Sequence, residues 1–191
     1  MNAGGPAPVM TVLELTRYRR ARIWDDECPG ARYPSSKSLQ GEVEAASVET
    51  PPRRIALELV VPHGPRVSYG LLGGDFKPSA GRSTLAVITH YSETPFGVGD
   101  RFESPIAIAP EKPVAGLPLE LANAVLTGVE DAHTRGAAPS PGTLTIDCAA
   151  YGEFGSSPWF FRSLASVLTA LLSRGWTSES DLRRAVEDYV A

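Results

Sequence analysis

Two cysteines and three histidines in 191 residues leave little material for a metal centre. His63, His90 and His133 are dispersed, no C-x-x-C occurs, and no metal site is expected. Cys28 falls in a loop rich in proline and aspartate and Cys148 in a predicted strand, a setting that fits two reduced thiols better than a disulfide framework. There is no G-x-x-x-x-G-K-[ST], which excludes P-loop nucleotide hydrolysis, and no G-x-S-x-G, which removes the commonest serine-hydrolase signature. No apolar run approaches the roughly 18 to 20 residues that span a bilayer, so no membrane partner is expected. The opening MNAGGPAPVM lacks the charged-then-apolar order of a signal peptide, and the expected location is the cytoplasm. Positive charge is also scarce: the formal net charge is -4 and the pI about 5.4. Without a global basic field, any RNA contact must be local.

What remains is a chain that is 42% hydrophobic, enough for one core. Residues 1–10 read as a disordered tail and 11–191 as a single α+β domain. Strands are predicted at Thr11 to Arg19, Arg54 to Val61, Thr84 to Tyr91, Arg101 to Ala109 and Thr143 to Tyr151, from alternation and β-branched content. The proline- and serine-rich 24–53 reads as irregular, with one short strand around Glu42 to Val48. Gly70 to Ser83 reads as a flexible excursion, its Gly70, Gly73 and Gly74 suited to a turn or bulge. After residue 116 the period changes. Leu117, Leu121, Ala124, Val125, Gly128 and Val129 make one helical stripe entered at Pro118, small enough to lie close on a sheet. Ser157-Pro158 opens a second helix with buried Phe161, Leu164, Ala165, Leu168 and Leu172, and Gly175 stops it. Ser178 with Asp181 caps a short terminal helix ending near Tyr189.

Three segments resemble a known family. AGRSTLAVITHY, GLPLELANAVLTGVEDA and TLTIDCAAYGEFGSSPWFFRSLASVLTALL are similar in order and character to the glycine-rich loop and strand, the first helix, and the last strand, tip loop and second helix of domain IV of elongation factor G and its relatives. The relatives include ribosomal-protection tetracycline-resistance proteins, and the similarity covers about residues 81–172. It implies a two-layer sandwich: a mixed sheet of about four to six strands, two helices on one face, a left-handed β-α-β crossover, and here an extra C-terminal helix. It also implies that loops 81–83 and 152–157 form a tip at one end of the sheet. This sequence departs from the family in both, since the first loop offers only Arg82 and the second reads GEFGSSPW.

No catalytic residues and no cofactor are legible. The leading expectation is a non-enzymatic binding protein that contacts the ribosome, an RNA or a protein partner. Its binding residues would be Arg82, Ser83, Glu153, Phe154, Ser156 and Ser157 in the tip loops, with Arg17, Arg19, Arg20 and Arg22 on the first strand. Arginine supplies phosphate contacts, and the interleaved Tyr18 and Trp24 can stack on unpaired bases. The same cluster reads more readily as a charged strand edge that discourages aggregation. Two alternatives stand beside this reading. One is a small-molecule enzyme or ligand-binding module on the same fold, which would converge Asp75, His90 and Asp147 in a pocket; the other is an assembly module that dimerises through Thr11 to Arg19. Asp25-Asp26-Glu27 reads as a solvated acidic turn in preference to a cation site.

Overall fold

A computed structural model of the chain describes residues 9–47, 49–93, 97–107 and 111–188. Among these, eight strands form one mixed sheet. They are β1 (Val9–Glu14), β2 (Arg20–Asp25), β3 (Lys37–Glu44), β4 (Arg53–His63), β5 (Arg66–Pro78), β6 (Thr84–Tyr91), β7 (Val114–Ala115) and β8 (Gly142–Tyr151). Three helices follow the same count: α1 (Leu119–Thr134), α2 (Pro158–Arg174) and α3 (Glu179–Glu187). The spatial order is β1-β2-β4-β5-β8-β6-β3, with the short β7 beside the end of β8. Only β6 and β8 pair in parallel, joined through α1.

The helices share one face. α1 lies over β3 and β6, α2 over β4 and β5, the two touch along their length, and α3 reaches α2 and β1. The strands supply alternate apolar residues to this side: Ile55, Leu57, Leu59 and Val61 from β4, Leu72 and Phe76 from β5, and Leu144 and Ile146 from β8, all buried with the stripes of α1 and α2. Gly128 serves the contact between helices, because a Cβ there would collide with the Arg162 carbonyl and the Ala165 side chain. The Ser166 hydroxyl donates to the Gly128 carbonyl at 2.7 Å across the same contact. Ser157 caps α2 by accepting from the Phe160 N–H at 3.2 Å, Pro158 takes the first turn, and Gly175 ends the helix at positive φ. Ser178 caps α3 in the same way from the Asp181 N–H.

The opposite face is closed differently. The connection 26–36 starts at β2, near one edge, and ends at β3, the other edge. It is tied down in passing. Cys28 is disulfide-bonded to Cys148, 120 residues away in β8; the Ala149 N–H donates to the Ala31 carbonyl at 3.0 Å; and the Tyr33 hydroxyl donates to the His90 carbonyl at 2.7 Å. Beneath it Trp24, Ala31, Ala56, Leu71, Phe102, Cys148 and Ala150 form a second, smaller core. The expected pair of reduced thiols is therefore corrected: both cysteines are bonded.

Other expectations shift as well. The sheet has eight strands, not four to six: β2 begins only after the reversal at 15–19, β3 and β5 occupy stretches rich in serine or glycine, and β7 has just two residues. In β5 the glycines answer to crowding. Gly70 lies under Phe161 and Leu164, Gly73 lies between Ala56 and Cys148, and the register slips between Gly73 and Gly74 opposite Asp147, a bulge. Thr11 to Arg19 is not one strand; the chain reverses at 15–19. Residues 102–107 are irregular where a strand was expected; of that span 108 and 109 lie outside the described residues, as do 1–8 of the expected tail, Val48 and Tyr189. Val9 and Met10 belong to β1 rather than to the tail.

Candidate binding surface

The two loops expected to form one tip lie at opposite ends of the sheet. Gly142 pairs with Pro78 and with Leu85, so loop 81–83 sits at the start of β8, while 152–157 follows its last residue, Tyr151. The ten residues of β8 separate them by about 30 Å at 3.3 Å per residue. Arg82 and Ser83 are exposed at the far end, where Arg82 borders a cavity of about 460 Å³ with Gln40, Glu42, Ala86, Ile88 and Thr143.

The arginine turn does share an end with loop 152–157. Tyr151 lies in one row with Gly70 and Leu59, and Arg20 pairs with Val60, the next residue along β4. Three strand spacings, about 14 Å, separate the turn from the loop. The β4–β5 turn, with His63 and Arg66, lies between them.

Within 15–19 the backbone is unusual. Arg17 and Tyr18 both have positive φ, 58° and 61°, which L side chains adopt at a cost of about 1–2 kcal/mol each. The result is a tight reversal closed by the Leu15 N–H to the Arg19 carbonyl at 2.8 Å, with Tyr18 89% exposed at its apex.

The four arginines then part company. Arg17 is exposed in the turn, beside Arg19. Arg20 donates to the Ile106 carbonyl at 2.9 Å, and Arg22 donates through Nε to Glu58 at 2.7 Å and through Nη2 to the Ser104 carbonyl at 2.6 Å. The Arg22 guanidinium also stands 5.0 Å from the Trp24 ring centroid. Glu58 is fully buried and also accepts from the Tyr69 hydroxyl and the Ile106 N–H, each at 2.9 Å. Burial, then the Glu58 charge, push the Tyr69 phenol up, keeping it a neutral donor. Arg20 and Arg22 thus latch segment 104–106 onto the sheet; pairing with a buried carboxylate was invisible in the sequence, where Glu58 looked like any polar residue of an alternating strand.

Loop 152–157 is equally well defined. The Ser156 hydroxyl donates to the Tyr69 carbonyl at 2.7 Å and accepts from the Gly152 N–H at 2.8 Å. Glu111 reaches under the loop, accepting from the Phe154 N–H at 3.1 Å, in space that a side chain at Gly152 would fill. Ser156 and Ser157 are therefore scaffold, while Glu153 and Phe154 point outward, Phe154 76% exposed. Phe160 is buried at the start of α2 but Trp159 is 55% exposed.

Asp75, His90 and Asp147 lie on strands β5, β6 and β8; the two aspartates both act on Arg54, which pairs with Asp75 across the β4–β5 ladder. Arg54 holds Asp147 with two hydrogen bonds of 2.9 Å, which raises the Arg54 pKa further, and Lys77 pairs with Asp75 at 3.1 Å. Asp25 is likewise held by Arg53 at 2.9 and 2.8 Å, and among the described residues no group of His, Cys, Asp and Glu is placed to hold a metal. Nor is any helix among them long and apolar enough to cross a membrane.

Fold and site together define a class, an α+β protein with a mixed sheet and three helices carrying exposed aromatics and arginines at one end of the sheet. No family, curated protein or solved structure matches the chain.

Proposed function

We propose that this chain is a non-enzymatic binding protein on a fold like that of translation-factor domain IV, and that it contacts RNA, including ribosomal RNA, through the end of the sheet that carries Arg17, Tyr18, Arg19 and Phe154. The observation behind this is the strained turn. Two consecutive non-glycine residues are held at positive φ, and what the strain achieves is to lift Tyr18 clear of the protein between two arginines. An exposed ring with an arginine on either side in the sequence suits an unpaired base and its phosphates. Arg82 and Ser83, at the other end, are not part of this surface.

The left-handed crossover is the finer part of the same reading. Ala149 turns its side chain into the helix-side core, while its N–H meets Ala31 and its carbonyl accepts from the Gly116 N–H, both on the β6 side of β8. For an L-residue on a strand running upward, viewed from the side its side chain faces, N–H and C=O point right. Seen from the helices, β6 then lies right of β8, so the path β6, α1, β8 steps leftward. That is opposite to the usual sense, and it supports the likeness to domain IV. A cytoplasmic location belongs to this proposal too, although a disulfide is more at home in an oxidising compartment.

Co-sedimentation with ribosomes, alongside titration of fluorescent single-stranded RNA at several salt concentrations, tests the proposal. Binding that weakens with salt, and falls about 5- to 160-fold in Tyr18→Ala, is the expected result, since stacking contributes about 1–3 kcal/mol per base. Absence of binding at low salt, or equal binding by Tyr18→Ala, would sink it.

A further inference from the structure

We propose that the β1 edge of the sheet is a self-association surface, at which two copies of this chain pair antiparallel about a dyad at Thr11 and join their sheets.

The two edges differ. β3 carries Lys37, Glu42 and Glu44, with Lys37 paired to Glu93, and a second β3 beside it would bring carboxylates together. β1 carries no charge between Val9 and Glu14, and presents Met10 and Val12 half exposed, at 50% and 49%.

The backbone phase fixes which groups are open. In an extended strand the N–H and C=O of successive residues point to alternate sides. The Leu15 N–H turns inward to the Arg19 carbonyl, so Leu13 and Thr11 also face β2. The Glu14 carbonyl faces outward, where it accepts from Arg183 of α3. Val12 and Met10 share that outward phase, and Glu14 is already engaged.

A dyad at Thr11 uses this pair of residues fully. Met10 of one copy exchanges N–H and C=O with Val12 of the other, and Val12 with Met10, for four hydrogen bonds. Glu14 falls outside the paired segment and keeps its bond to Arg183, so no like charges meet. On the face opposite the helices, the side-chain row then runs Arg22, Val12, then Met10 and Trp24 of the second copy, because Val12 pairs with Arg22 and Met10 with Trp24 across β1 and β2. The second copy would also flank the cavity of about 450 Å³ that Met10 shares with Arg22, Trp24 and Phe102.

Sedimentation equilibrium of the full chain tests this with two proline variants. Val12→Pro removes an outward N–H and leaves the β1–β2 ladder intact; Gln40→Pro does the same on the β3 edge, because Gln40 shares a face with Glu42 away from Gly41, whose space is bounded by Leu126 of α1. A concentration-dependent rise towards twice 20.3 kDa is expected for the native chain and for Gln40→Pro, with Val12→Pro remaining monomeric. Val12→Lys, checked for native circular dichroism, is expected to match Val12→Pro and guards against misfolding. A native chain that stays monomeric up to high concentration, or folded Val12 variants that dimerise as before, overturns the proposal.

Discussion

The two faces of the sheet are held by different physics. On the helix side, long apolar stripes of α1 and α2 pack on apolar residues of β3, β4, β5 and β6, and burial at about 25 cal/mol per Å² does the work. On the other side a connection and a loop lie across the strands over a core of only seven buried residues. There the cover depends on point attachments: one disulfide, one buried carboxylate with its three donors, and a few backbone bonds. A face closed by regular elements tolerates the loss of one contact in proportion to area, whereas a strapped face loses a whole segment when one tether goes.

That contrast can be tested in order of expected effect. On the helix face Phe161→Ala, which empties space against Gly70, should lower stability by about 3–5 kcal/mol in urea denaturation with little change in the m-value. On the strapped face Glu58→Gln should destabilise by about 3 kcal/mol by stranding Arg22 in a site where its side chain is 14% exposed, and should loosen 104–106 selectively. Replacing both cysteines by serine should cost about 2–4 kcal/mol, read as a lower urea midpoint, and should leave the helix-side core intact in near-ultraviolet circular dichroism. Ser157→Ala, on a helix cap, should cost about 1 kcal/mol. The smallest effect concerns Asp131, whose carboxyl is held below its usual range by hydrogen bonds from Arg162. Because the folded pKa is depressed, this contribution is present above the ordinary value of about 3.9 and fades as pH falls through the folded value. Asp131→Asn should flatten the acid limb of the stability profile slightly and leave neutral stability almost unchanged.

The same contrast explains what could be read in advance. Helices announce themselves: Ser157-Pro158, Gly175 and the Ser178-Asp181 pair mark ends by local chemistry, and each was legible before the structure. So were β4, β6 and β8, whose apolar alternation reports the core they face. β5 was not, because its glycines answer to Phe161, Ala56 and Cys148, residues far off in sequence. The disulfide was hidden for a related reason, since only the crossing of 26–36 brings Cys28 to Cys148. At the candidate surface, arginine and aromatic content was visible, but not the split between Arg17 and Arg19 in an exposed turn and Arg20 and Arg22 in an internal latch. That split follows from positive φ at Arg17 and Tyr18, which no pattern of side chains encodes. The distance between loops 81–83 and 152–157 follows from β6 and β8 being parallel neighbours, so that one loop opens a strand and the other closes its partner.

Hydrogen exchange of the oxidised and dithiol-reduced protein addresses the difference between the faces most directly. Reduction should strip protection from the amides of 28–36, Ala149 and 101–107 while β4, α1 and α2 keep theirs. Identical exchange in both states, or a loss spread evenly over strands and helices, would contradict it.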